Sequence, residues 1–192
     1  MSKSQKRKEA YSLKSFRVLI VEDYPFMAEL MSSMAREFGV GQLLLAENGK
    51  EAKEMVMMFN ADPGSKNQID MVITDWLMPG GDGADLVKWI RDSKKDAIRF
   101  LPIILCSAYT SEDVVFVGRD KGANEVLVKP LSAKKLADRI LHVIDHPRPF
   151  IETPNFFGPD RRRRSEAFKG EERRQGDLHG DNPDIEEFHE RI

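Results

Sequence analysis

The sequence predicts an α/β protein built on one parallel five-stranded sheet, doubly wound with helices on both faces. Three observations predict it. Five short apolar runs, at residues 16–21, 43–45, 71–74, 101–106 and 126–128, alternate with segments whose apolar residues recur at intervals of three and four, the pattern of strands each followed by a helix. The runs are nearly continuous in apolar character, as parallel strands covered on both faces require. Four of them run straight into chemically active residues, Glu22 and Asp23, Asp75, Ser107, and Lys129. The carboxyl ends of strands are where open α/β sheets place their ligands. Right-handed crossovers follow almost necessarily, and spacing alone leaves both common strand orders open.

Taken in order, residues 16–21 form the first strand. Beyond Pro25 the residues Met27, Leu30, Met31, Met34 and Phe38 share a helical face that Gly39 ends. Residues 43–45 form the second strand. Asn48, with Glu51 three residues later, resembles a capping box opening a helix that carries Ala52, Met55, Val56 and Phe59. The methionines in these helices read as core filler. Residues 61–68 are polar and contain Pro63 and Gly64, so they read as a connection to the third strand. That strand stops at Asp75, because Pro79, Gly80, Gly81 and Gly83 cannot continue it. Asp82 then caps a helix with Leu86, Val87 and Ile90. The fourth strand ends at Ser107, and Thr110 or Ser111 opens a helix with Val114, Val115 and Val117. The fifth strand ends at Lys129 and Pro130. Ser132 opens the last helix, with Leu136, Ile140, Val143 and Ile144 on one side and Pro147 and Pro149 beyond it.

Three regions result: a basic N-terminal segment, 1–15, read as disordered; a folded domain, 16–146; and a tail, 147–192, containing prolines, phenylalanines and arginines. The tail is mixed in charge and reads as largely disordered from about Ser165 onward. A chain of 192 residues has room for one well-cored domain and an appendage. Its formal charge of −2 gives no overall bias toward nucleic acid or an anionic membrane. The single cysteine, Cys106, lies within an apolar run, so no internal disulfide can form, and the cytoplasm is the expected compartment. The basic start has no apolar stretch behind it and does not read as a secretory signal. No run is long enough to span a membrane.

In a parallel sheet Glu22, Asp23, Asp75, Ser107 and Lys129 emerge at one edge. Three clustered carboxylates repel unless a cation sits among them. A small set of hard oxygens with room for substrate phosphate is how magnesium is usually held. Lys129 can balance Asp75 before a reaction and phosphoryl oxygens after it, and Ser107 can donate to one of those oxygens. Phosphoryl transfer asks mainly for positioning and charge neutralisation. Asp75 is therefore read as a carboxylate nucleophile.

The run Val18-Leu19-Ile20-Val21-Glu22-Asp23, the run Thr74-Asp75-Trp76-Leu77-Met78-Pro79-Gly80 with Asp82-Gly83, the pair Ser107-Ala108 and the run Val128-Lys129-Pro130 resemble a response regulator receiver domain of the stand-alone, chemotaxis-regulator kind, over about residues 16–146. The resemblance implies a flavodoxin-like sheet of order 2-1-3-4-5 and a cis bond before Pro130. It makes Asp75 the phosphoacceptor, Glu22 and Asp23 the magnesium-binding pair, Leu77 the donor of a backbone carbonyl to the metal, Ser107 the switch hydroxyl and Lys129 the family's lysine. It also implies a phosphoprotein of a two-component phosphorelay, with a sensor histidine kinase or histidine phosphotransfer protein as donor. Two departures stand out. Val126 occupies the place of the family's switch aromatic, and the positions that tune hydrolysis are Leu77 and Tyr109, neither of which orients water well. A long-lived phosphoryl-aspartate is the expectation.

Residues beyond Pro149 leave no room for a DNA-binding or second catalytic domain, so output is expected through protein binding. The family's surface for this is the fourth helix, fifth strand and fifth helix, here marked by Val114, Val115, Val117 and Val126. A second reading places a cyclic dinucleotide, such as cyclic di-GMP, or nucleic acid on Arg161, Arg162, Arg163 and Arg164 beside Phe156 and Phe157. The neighbouring acids Asp160, Glu166, Glu171 and Glu172 dilute that field. A third has residues 150–157 folding back on the domain or on a second copy. Haloacid-dehalogenase-type phosphatases also use an aspartate at a strand end, but they need a second acid where this chain has Leu77. Beyond its own phosphorylation and dephosphorylation, no enzyme activity is expected.

Overall fold

Five strands pair in parallel in the order β2-β1-β3-β4-β5. They are β1 Arg17–Val21, β2 Gln42–Ala46, β3 Met71–Asp75, β4 Ile103–Ser107 and β5 Glu125–Val128. The structure, a computed structural model, describes residues 13–79, 83–108 and 118–160. Of the two strand orders that spacing left open, the chain has the one the receiver resemblance implied.

The helices are α1 Pro25–Glu37, α2 Gly49–Asn60, α3 Gly83–Arg91, the single turn α4 Asp96–Arg99, and α5 Ala133–Asp145. Pro25 opens α1 at a position where its missing N–H costs nothing. Gly39 follows the helix with φ 89°, a left-handed conformation that a side chain would strain. Asn48 caps α2 by accepting the Glu51 N–H at 2.9 Å. The return bond goes one residue further back than a capping box has it, since the Glu51 carboxylate accepts from the Glu47 N–H at 2.8 Å. Ser132 caps α5 by accepting the Lys135 N–H.

Alternation along the strands sends side chains to two cores. On one face Val18, Ile20, Met71, Ile73, Ile104 and Cys106 meet Met31 and Ala35 of α1 and Leu136 and Ile140 of α5. The other face carries Leu19, Val72 and Leu105, all fully buried, on the side of α2, α3 and α4. The reading of the methionines as core filler holds for Met31, whereas Met57 and Met58 of α2 are exposed at 42% and 77%.

The structure departs from the sequence reading at the start of the domain. Leu13 is not in a loose leader: it is buried in a short 3-10 turn, Leu13–Ser15, and its carbonyl accepts from Phe16 and Gly41. After Pro149 the chain follows the third reading of the tail, with residues 150–157 folded back on the domain. β6 Phe150–Thr153 and β7 Phe156–Pro159 form an antiparallel hairpin, closed by the Asp160 N–H donating to the Pro149 carbonyl at 2.8 Å. The turn lies at Pro154 and Asn155, residue types that favour turns. Phe150 and Phe157 pack on Phe100 with ring centroids 4.9 and 5.2 Å away, and apolar burial fixes the hairpin there. The cap expected at Asp82, the helix with Val114, Val115 and Val117, Tyr109, and Arg161, Arg162, Arg163 and Arg164 lie outside the described residues.

Candidate functional site

Parallel register delivers the reactive residues to one edge of the sheet. Val21 stands beside Ala46 and Thr74, Asp75 beside Cys106, and Ser107 beside Val128. The residues that follow β1 and β5, Glu22 with Asp23 and Lys129, therefore emerge level with Asp75 and Ser107. The loop after Asp75 is held from several sides. Trp76 N–H donates to the Cys106 carbonyl and Gly83 N–H to the Trp76 carbonyl, each at 2.7 Å, and the Thr74 hydroxyl donates to the Asp75 carbonyl at 3.0 Å. A Cβ on Gly83 would stand 2.0 Å from that same carbonyl oxygen. Only glycine lets α3 begin so close to the strand end.

Lys129 is the hub. Its Nζ lies 3.0 Å from Glu22 Oε2 and 3.0 Å from Asp75 Oδ1. Glu22 and Asp75 are 4% and 9% exposed, while Asp23 is open to solvent. Burial raises the pKa of Asp75 above its ordinary value, and the Lys129 ammonium partly offsets this. Burial likewise raises Glu22, with the bond from Lys129 opposing it. For Lys129, burial alone would lower the pKa, but the bonds and charges of Asp75 and Glu22 outweigh it and the net shift is upward. Among the described residues one cation thus serves two buried carboxylates, and that set is short of positive charge.

Glu22, Asp23 and Asp75 can each direct one carboxylate oxygen so that all three lie within 4.8 Å of one another. Clustered hard oxygens with one solvent-facing member suit a magnesium ion that keeps several waters and shares a phosphate. Of the site residues read from the sequence, Glu22, Asp23, Asp75 and Lys129 are therefore brought together. Ser107 is fully buried at the end of β4, with its carbonyl accepting the Lys129 N–H at 2.7 Å. Leu77 follows in the partly buried loop. The Lys129-Pro130 bond is cis, as the resemblance implied. Cys106, fully buried beside Asp75 on the neighbouring strand, is an inert protonated thiol, its pKa pushed up to about 12 by burial and then by the Asp75 charge.

A five-stranded sheet of this order with acids, hydroxyl and lysine at one edge defines the class of phosphoryl-accepting signalling domains. The family model described as the response regulator receiver domain matches residues 18–141, and the chain belongs to that family. It is 30% identical over 132 residues to chemotaxis protein CheY-3 of Vibrio cholerae, covering 69% of this chain and 94% of that protein. It is 27% identical to chemotaxis protein CheY of Pseudomonas aeruginosa, covering 67% and 96%. Among solved structures it resembles a response regulator from Chloroflexus aurantiacus, with a TM-score of 0.59 and 29% identity over 68% of this chain and 98% of that one. It also resembles one chain of a CheX-CheY-BeF3-magnesium complex from Borrelia burgdorferi, with a TM-score of 0.56 and 30% identity over 67% of this chain and 89% of that one. No described helix is long and apolar enough to cross a membrane.

Sequence reasoning missed the buried polar residues at the opposite edge of the sheet. Arg91, at the end of α3, is 3% exposed. It donates from Nε to the Gly122 carbonyl at 2.9 Å, from Nη1 to the Arg99 and Leu101 carbonyls at 2.7 and 2.8 Å, and from Nη2 to Asn124 Oδ1 at 3.0 Å. Burial draws its pKa down to about 9, which leaves it a cation at neutral pH. The signal was present, because Arg91 continues the stripe of Ala84 and Val87 at helical spacing and both of those are buried.

Proposed function

We propose that Asp75 accepts a phosphoryl group from a phosphohistidine on a sensor histidine kinase or a histidine phosphotransfer protein. The observation that carries the reading is Lys129 Nζ at 3.0 Å from both Asp75 and Glu22, with Asp23 completing a three-carboxylate cluster. An Asp75 oxygen attacks phosphorus, the bond from phosphorus to the donor imidazole breaks, and the imidazole leaves with the electron pair. Glu22, Asp23, Asp75 and the Leu77 carbonyl would hold magnesium, which supplies positive charge to the transferring phosphoryl group. Lys129 neutralises charge on the acyl phosphate, and the Ser107 hydroxyl donates to one of its oxygens. The Borrelia relative's capture with BeF3 and magnesium supports a site of this type.

The acyl phosphate carries about −1.5 to −2 charges where the Asp75 carboxylate carried one, and it brings strong acceptors to the sheet edge. Output is then binding of a protein partner at the surface of the fourth helix of the resemblance, β5 and α5. The chain works as a cytoplasmic phosphoprotein and turns over no separate substrate. Leu77 offers no group to orient a hydrolytic water, so the acyl phosphate is long-lived.

Acetyl phosphate or phosphoramidate labelling with magnesium, followed by intact mass, tests this. One added phosphoryl group on the wild type and none on Asp75→Asn is the expected result. No label on either protein overturns it.

A further inference from the structure

We propose that the hairpin of residues 150–159 and the Arg91–Asn124 node beneath it position Asp75, Ser107 and Lys129 from the far edge of the sheet. This inference rests on the phosphoryl-acceptor reading above and adds remote positioning elements to it. Three elements connect the two edges. α3 starts at Gly83, packed on the Asp75 carbonyl, and ends at Arg91. β4 runs from Ile103 to Ser107, and β5 runs from Glu125 to the residue before Lys129.

At the far edge these elements share one knot of hydrogen bonds. Asn124 Oδ1 accepts from both Arg91 Nη2 and the Ile103 N–H, at 3.0 and 2.9 Å. The Asn124 N–H returns a bond to the Ile103 carbonyl at 2.9 Å. Arg91 also holds the carbonyls of Leu101 and Gly122. A shift of this knot moves the starting points of β4 and β5 together with the end of α3, because packed elements transmit displacement rather than absorb it.

The hairpin is seated on this knot. The Phe150 ring lies 5.1 Å from the Arg91 guanidinium carbon. Gly122 has φ 101°, and a Cβ there would stand 3.0 Å from Arg91 Cγ and 3.3 Å from the Phe157 carbonyl oxygen. A Cβ on Gly158 would meet the Phe156 ring at 2.8 Å and the Gly122 Cα at 3.0 Å, so the two backbones touch with no side chain between them. Arg99 covers the outside, its guanidinium carbon 3.5 Å from the Phe157 ring centroid and Nη2 on Glu152 at 3.2 Å. Arg148, at the root of the hairpin, is bonded to the buried Glu125 at 2.8 Å. The receiver family model ends at residue 141, so the hairpin lies outside that match.

The test compares wild type, Gly158→Val, which lifts the hairpin, and Arg99→Ala, which loosens its cover and carries the test should the first variant not fold. Magnesium-dependent labelling by acetyl phosphate is timed by intact mass, and amide hydrogen exchange is mapped in the unlabelled proteins. The expected result is a labelling rate reduced roughly threefold or more, with full final occupancy and faster exchange extending from residues 147–160 into 103–107 and 125–129. Exchange confined to residues 147–160, or an unchanged labelling rate, overturns the inference. If the wild type takes no label, the phosphoacceptor reading fails by itself; the spread of exchange in the variants then decides positioning alone.

Discussion

The two edges of the sheet handle buried charge in opposite ways. At the carboxyl edge, two buried carboxylates share one lysine with an exposed third acid beside them. At the amino edge a single buried guanidinium gives its hydrogen bonds to three carbonyls and an amide, all neutral, and has an aromatic ring against it. Every nitrogen of the Arg91 side chain is hydrogen-bonded where it stands, and the residue is structural. The acid cluster is unsaturated, and that imbalance lets it take a cation or a phosphoryl group. Burial is similar at the two edges, and satisfaction of charge separates scaffold from reactive site.

The largest effect that would sharpen this contrast is on Arg91. Arg91→Met keeps the bulk and strands the acceptors of Gly122, Arg99, Leu101 and Asn124, which costs about 3–5 kcal/mol in urea unfolding. A loss under about 1 kcal/mol would break the contrast, showing the guanidinium to be dispensable. Lys129→Met lies next. It leaves the Glu22 and Asp75 carboxylates facing each other without their cation, and the rate of labelling by acetyl phosphate is expected to fall about 10²-fold or more. A near-normal rate would show that neutralisation does not come from this lysine.

Two smaller effects concern the unsaturated edge. The Asp75 pKa is raised in the fold. The folded state therefore favours its protonated form, and ionisation costs stability as pH rises from below the ordinary carboxylate pKa through the raised one. Without added metal, Asp75→Asn is expected to melt about 2–4 °C above wild type at neutral pH. That advantage shrinks as pH falls into the carboxylate range, and a gap independent of pH would contradict the assignment. Magnesium at 100 times its dissociation constant is expected to stabilise the wild type by about 2.7 kcal/mol and Asp75→Asn by less, read as the shift in urea midpoint.

The acid edge was legible because each reactive residue directly follows a short apolar run, and a parallel sheet has only one edge where such positions can meet. Arg91 was less legible, although its place on the stripe of Ala84 and Val87 marked it, because an arginine at the end of a helix is ordinarily solvated and favoured there by the helix dipole. Asn60 was hidden in the same way. It follows Val56 by four residues at the end of α2, and its side chain pairs with the Ile69 backbone N–H and carbonyl at 3.0 Å and reaches the Ala97 carbonyl at 3.2 Å. The hairpin was obscured by Pro149, Pro154 and Pro159, which broke up the alternation of its aromatic residues.

By itself the sequence determined the five strands, the helices that follow the first, second, third and fifth of them, the caps at Asn48 and Ser132, and the residues at the strand ends, because these follow from local periodicity and hydrogen bonding within a few residues. Only the tertiary structure decided that Lys129 bridges Glu22 and Asp75, that Arg91 is buried and satisfied, and that residues 150–159 seal the far edge. Each of those outcomes depends in part on partners far apart in the chain, 31 residues for Arg91 and Gly122 and 107 for Lys129 and Glu22. Their meeting is set by packing and desolvation, and no local pattern records it.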